Sequence, residues 1–215
     1  GQLWDGQSQE SARKCLNTAI WRLRRVIETG DRKDDPYLIT TSGNEIGFNT
    51  KSRYWLDVEV LEQALRMNNM SLQNPQATDE VVENLEEILA LYQGDLMEGF
   101  YADWLIRERE RLRLMYLKGL IFLLNYFEHS SQWEKGLTCG QKILDLDPLR
   151  EDIHRKMMRF YLENGQRAQA IQQYRTCFLV LKTELGIQPM PETQMVYQQV
   201  LELNGIPDTG AQIGA

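Results

Sequence analysis

A chain of 215 residues, 42% hydrophobic and 26% charged, has room for one large domain or two small ones around a sizeable core, and it reads as an ordinary soluble globular protein. Its longest apolar runs, such as LIFLL at 120–124, are far short of a bilayer span and no signal peptide opens it, which excludes a helical membrane protein and predicts a cytoplasmic one. The formal charge is −7, yet residues 11–33 carry Arg13, Lys14, Arg22, Arg24, Arg25, Arg32 and Lys33 against Glu28 and Asp31, a net of +5, so a basic contact surface is expected on an acidic body.

The chain begins at Gly1, and QLWDG reads as the end of an element, so a fragment or a processed or engineered start is expected. From Ser11 to about Glu28, Ala12, Leu16, Ala19, Ile20, Leu23 and Ile27 recur at three- and four-residue steps, the stripe of an amphipathic helix. At 100° per residue the opposite face holds Lys14, Thr18, Trp21, Arg22 and Arg25. Ser8 or Ser11 is placed to cap its start. After the polar breaker TGDRKDDP (29–36) come YLITT (37–41) and EIGFN (45–49), separated by Ser42-Gly43-Asn44, whose residues suit a hairpin loop.

From Leu56 onward the pattern is helical. Segments are predicted at 57–67, at 78–92 after Thr78 or Asp79, from Ala102 or Asp103 to about His129, and at 132–145, 149–164, 167–185 and 191–203. Gly94 is expected to end a helix and Asp103 to cap the next, with Trp104 as a core anchor. RERERLR (107–113) is expected on an exposed face with Glu and Arg pairing along the helix. Two of the helix pairs repeat at an offset of 34 residues: Tyr126 lies over Phe160, Phe127 over Tyr161, Gln132 over Gln166 and Gly136 over Ala170. That period, with a large residue before the turn and a small one after it, is the arithmetic of tetratricopeptide repeats. Tyr116, Phe122, Tyr126, Phe127, Trp133, Phe160, Tyr161 and Tyr174 fall where repeat cores need bulk, and lining a concave peptide groove is the alternative role for some of them.

Catalysis finds no support. There is no phosphate-cradling glycine loop, no HExxH and no CxxC, while Glu86 and Glu87 read as helix surface. Cys15, Cys139 and Cys177 are far apart and accompanied only by His129 and His154, which predicts reduced, buried thiols, no metal site and no cofactor. His154 is expected at a helix surface or interface, and an enzyme is not expected.

In order, LW (3–4), ARKCLNTAIWRLRR (12–25), YLITTSGNEIGFN (37–49), YWLDVEVLEQAL (54–65), LYQGDLMEGFYADWLIRERERL (91–112) and the repeat segment 143–177 resemble transcriptional activators of the streptomycete antibiotic regulatory protein type. The resemblance covers about 3–203, and the order of the pieces carries it. It implies a mainly α fold: the C-terminal part of a winged helix (1–55) with a β-hairpin wing and a tetratricopeptide-like bacterial transcriptional activator domain (56–205), after which the composition of the chain end predicts a flexible tail (206–215). Only Gln2–Trp4 stands for the parts that precede the recognition helix in that family, so the stripe of 12–27 is expected to lack part of its cover.

The resemblance further implies that residues 11–28 are a recognition helix for promoter DNA. Lys14, Arg22 and Arg25 would meet phosphates or guanine, Thr18 a thymine methyl or base edge, and Trp21 a sugar–phosphate edge. Thr41, Ser42 and Asn44 of the wing would reach a phosphate or the minor groove, helped by Lys51 and Arg53. The bland reading is that Trp21 covers the wing and the arginines are merely solvated. RNA polymerase and a second copy of the chain are the protein partners the family implies. The alternative function is a tetratricopeptide-type interaction or signal-sensing scaffold that does not bind DNA directly.

Overall fold

A computed structural model of the chain describes residues 6, 8–28, 35–41, 45–68 and 77–202, with 67 and 68 given by backbone alone. The expected tail at 206–215, the Gln2–Trp4 segment, and Ser42 and Asn44 of the wing lie outside the described residues. Two compact units divide the chain, Gly1–Leu56 and Asp57–Ala215.

Among the described residues the first unit holds one helix and one hairpin. Helix α1 (Gln9–Ile27) is capped by Ser8, whose Oγ accepts the Ser11 amide at 3.3 Å, and Glu10 in its first turn and Arg24 and Arg25 in its last complement the helix dipole. Strands β1 (Leu38–Thr40) and β2 (Ile46–Phe48) pair antiparallel with Leu38 opposite Phe48 and Thr40 opposite Ile46. Stacking of Tyr37 on Phe48, and an edge contact from Phe48 to Tyr54 at 4.8 Å, hold one face of the hairpin.

The second unit is helical: α2 (Asp57–Asn68), α3 (Asp79–Leu89), α4 (Asp103–His129), α5 (Trp133–Leu146), α6 (Glu151–Glu163), α7 (Arg167–Leu185) and α8 (Pro191–Glu202). The pairs α4–α5 and α6–α7 are the two copies of the 34-residue hairpin, and α8 packs on both α6 and α7, a tetratricopeptide-like stack. None of the described helices is long and apolar enough to cross a membrane. Helix α3 stops before the expected Tyr92 because the amides of Leu91 and Tyr92 turn back to the carbonyls of Ile88 and Leu89. Gly94 therefore lies beyond the helix instead of ending it. Asp103 does not cap α4; Ala102 holds the cap position and Asp103 is the first helical residue, where its charge still faces the positive dipole end.

The repeats fit because small residues let side chains of the next pair reach the helix backbone. A Cβ on Gly136 would lie 2.7 Å from Phe160 Cε2, and one on Gly140 2.7 Å from Met157 Cγ. The small residue thus serves the contact between successive helix pairs, with Phe160 supplied by the pair that follows. Ala170 repeats the small position and is fully buried. All eight aromatic residues expected in the repeat cores belong to them, Tyr126, Trp133, Tyr161 and Tyr174 at partly buried positions.

Two expectations fail, and one holds in part, for identifiable reasons. Trp104 is half exposed, because Leu105 and Leu112 provide the buried face of α4 at that end. The run 107–113 pairs along the helix as expected at Glu108 and Arg111, but its face is partly buried: Arg109 donates to the carbonyls of Leu96 and Met97, Arg113 to that of Leu146, and Arg111 also reaches Glu62. Cys15 is exposed, since α1 buries nothing fully, whereas Cys139 and Cys177 are buried and burial pushes their thiols up to about 11 and about 12.

Of the two places expected for His154, helix surface or interface, it takes the interface, between α6 and α7. It is only 2% exposed, and its Nε2 lies 3.0 Å from the Pro148 carbonyl while Nδ1 lies 2.7 Å from the Gln173 amide nitrogen. That pairing suits the neutral ring, with Nε2–H donating and Nδ1 accepting. Burial lowers its pKa against the smaller opposing pull of the Pro148 carbonyl and of Glu151 and Asp152.

Two outcomes follow from these contacts. Phe160→Ala should cost about 3–5 kcal/mol and Gly136→Val about 1–3 kcal/mol, and in urea denaturation the double variant should cost less than their sum, because the valine fills space the ring has left. Below the ordinary histidine value of 6.5 the unfolded chain takes up a proton that folded His154 resists. Stability should therefore be full above that value and fall as pH drops through it toward the lowered folded value. The carboxylates held low, Glu108 and Asp152, act only below their ordinary 4.5 and 3.8, so urea midpoints compared at pH 7.5 and 5.5 should show the loss, and His154→Gln should reduce it.

Candidate nucleic-acid interface

Helix α1 sorts its side chains by face without burying any of them completely. Ala12, Leu16, Ile20 and Ile27 are partly buried, Ala19 and Leu23 are exposed, and Lys14, Thr18, Trp21, Arg22 and Arg25 are all exposed. At 1.5 Å rise per residue the five polar-face residues cover roughly 16 Å of helix within an arc of roughly 100°. They form one continuous surface.

Within that surface the groups are partly organised. Arg25 lies 4.8 Å over the ring of Trp21, which is 57% exposed, so the indole is a platform under a cation. Lys14 pairs with Glu10 at 3.1 Å, but both side chains are highly exposed and such a pair is easily exchanged for another anion. Thr18 Oγ1 donates to the Lys14 carbonyl at 2.9 Å, which leaves its lone pairs and methyl group facing out. Arg22 makes no ion pair among the described residues.

Arg24 belongs to a different task that the composition of the basic run hid. Its Nη2 donates to the Leu38 carbonyl at 3.1 Å, and Glu28 Oε1 accepts the Leu38 amide at 3.0 Å. One turn of α1 thereby grips both backbone groups of a single β1 residue, with Arg24 Nε 3.8 Å from Glu28 Oε2 closing the pair. The spacing of Arg24 and Glu28 at four residues was the available signal. The strand, by contrast, is not adjacent in sequence.

Of the three expected wing residues, Thr41 alone lies among the described residues. Thr41 closes the hairpin through its amide at 2.8 Å and its Oγ1 at 3.3 Å, both to the Glu45 carbonyl. Lys51 and Arg53 are exposed, and the turn between them and the strand is built on Asn49, whose amide and side chain bond Tyr37 and Pro36 carbonyls. Arg53 offers its amide to Asp35 at 3.2 Å, leaving its guanidinium on the surface. No group of three His, Cys, Asp or Glu that could hold a metal occurs among the described residues.

A family model described as the bacterial transcriptional activator domain matches residues 56–201. The transcriptional regulatory protein MoaR1 of Mycobacterium bovis is 21% identical over 211 residues, covering 93% of this chain and 64% of that protein. MoaR1 of Mycobacterium tuberculosis gives the same identity and coverage over 215 residues. The chain thus spans less than two thirds of the length of these relatives. Among solved structures, Mycobacterium tuberculosis EmbR in complex with a low affinity phosphopeptide shares the fold with a TM-score of 0.66 at 14% identity, covering 93% of this chain and 52% of that one.

The grip of α1 on β1 predicts a local effect. Glu28→Ala should cost about 1 kcal/mol at the hairpin, seen as faster hydrogen exchange of the Leu38 amide with unchanged helix content, while Lys14→Ala leaves that amide as it was.

Proposed function

This chain belongs to the bacterial transcriptional activator domain family through residues 56–201, and from that membership we propose that it is a transcription regulator whose α1 reads promoter DNA while the helical unit makes protein contacts. The observation that carries the DNA part is the division of cations on α1. Arg24 is committed to the hairpin, whereas Lys14, Arg22 and Arg25 remain outward beside Thr18 and Trp21. A structural helix has no need of an exposed indole with an arginine laid over it.

In this reading Lys14, Arg22 and Arg25 engage phosphates or the O6 and N7 of guanine. Thr18, having donated its hydroxyl proton within the helix, serves as an acceptor for a cytosine or adenine amino group, or offers its methyl to thymine. Trp21 lies against the sugar–phosphate edge and keeps Arg25 extended. Thr41 and the neighbouring Ser42 and Asn44 supply backbone contacts from the wing. Residues outside 11–33 are net acidic and repel phosphate, so the basic helix directs docking. RNA polymerase and a second copy of the chain are the protein partners in this scheme. No metal or cofactor is needed, and the scheme describes a regulator rather than an enzyme, in keeping with the family and with the names of the MoaR1 relatives.

The test is selection from a promoter library with the chain extended upstream to a complete winged helix, beside a Lys14→Ala/Arg22→Ala/Arg25→Ala variant. A motif should be enriched and lost in the variant, and the slope of log affinity against log salt should fall by about 0.9 for each phosphate contact removed. Affinity indifferent to salt and to these three charges would sink the reading. No enrichment by a well-folded protein would favour the scaffold without DNA binding.

A further inference from the structure

Between α3 and α4 the chain displays a cluster of large apolar side chains that no core absorbs. Phe100 is 61% exposed, Tyr101 78% and Trp104 50%, with Met97 exposed beside them. The segment that carries them is held in place. Arg109 Nε donates to the Leu96 carbonyl at 2.6 Å and its Nη2 to the Met97 carbonyl, the Phe100 amide closes a turn on Met97 at 3.3 Å, and Tyr92, stacked on buried Tyr116, donates to Asp95. Met97 is held at φ 51, a left-handed conformation that costs a non-glycine residue about 1 kcal/mol. A loop fixed in this way presents its aromatic residues at little further entropic cost on binding.

Charge selects the occupant. Asp95, Glu98 and Asp103 are interleaved with the aromatic residues, all exposed, and none forms an ion pair among the described residues. The nearest cation in sequence on α4, Arg107, is outnumbered, and Arg109 is spent on carbonyls. Nucleic acid and anionic lipid would be repelled. We infer that Met97, Phe100, Tyr101 and Trp104, interleaved with Asp95, Glu98 and Asp103, form a docking surface for a protein segment that carries Lys or Arg beside large apolar side chains. Tryptophan, tyrosine, phenylalanine and methionine are the residues enriched at the centres of protein interfaces. The inference rests on the protein-contact part of the proposed function and is independent of its DNA part.

The experiment is selection of a random phage-displayed peptide library on the immobilised full chain. Two variants stand beside it: Phe100→Ser/Tyr101→Ser/Trp104→Ser, and the isosteric Asp95→Asn/Glu98→Gln/Asp103→Asn, in which the amide oxygen at position 95 can still accept from Tyr92, with circular dichroism and the urea midpoint establishing that each is folded. Basic, apolar-rich peptides should be enriched, bind more weakly as salt rises, and lose about tenfold or more in affinity to each variant. Peptides that bind both variants as well as the parent overturn this surface and leave the protein-contact reading standing. Retention of no peptide by folded protein overturns both. Self-association that disappears in the serine variant, measured by sedimentation, replaces the inferred partner with a second copy.

Discussion

The ring of Phe160 resting on the bare backbone of Gly136 is the contact from which the helical unit takes its spacing. A Cβ at Gly136 would stand 2.7 Å from that ring, and the same is true one turn later where Gly140 meets Met157. Removing both Cβ atoms lets α5 and α6 close up until large side chains fill what would otherwise be a gap between successive pairs. Phe160 and Met157 are each 1% exposed, so neither can swing away to admit a larger neighbour. Once α6 is seated, the turn before it brings the Pro148 carbonyl to His154, and Glu151 reaches the Met190 amide. The polar contacts of the last helices are consequences of that apolar one.

Electrostatics divides the chain along the same line as its architecture. The first unit concentrates cations on an outward helical face, while the helical unit spends Arg109, Arg111, Arg113 and Arg167 on carbonyls and carboxylates within itself. Exposed arginines on α1 can exchange solvent for phosphate. Arginines such as Arg109, whose guanidinium holds two loop carbonyls, cannot do so without releasing the loop. This difference, more than net charge, separates a surface suited to a polyanion from one suited to a basic protein segment.

Much of this was legible before any coordinates. The 3.6-residue stripe of 12–27 gave a helix and its polar face, the flanking turn residues gave the hairpin, and the 34-residue offset gave the stacked pairs to within a few residues at most ends. What escaped was set by contacts between residues distant in sequence. Arg24 reads as one more cation of a basic run until Leu38 is beside it. His154, in REDIHRK, reads equally as a surface or an interface residue until Pro148 and Gln173 close over it. Trp104 has the size of a core anchor, yet Leu105, one position along and turned by 100°, takes the interior instead.

Sequence alone determined which segments are helical, where they stop to within a turn, and which face of each is apolar, because backbone propensity and side-chain periodicity act within about ten residues. It also determined the separation of a basic helix from an acidic repeat body. Only the tertiary structure decided which charged side chains are free for a partner and which are consumed internally, which aromatic residues fill the core and which remain on a fixed loop, and how closely the helices approach. Those outcomes depend on packing and hydrogen bonding across tens of residues, where one missing Cβ or one available carbonyl determines where a side chain goes.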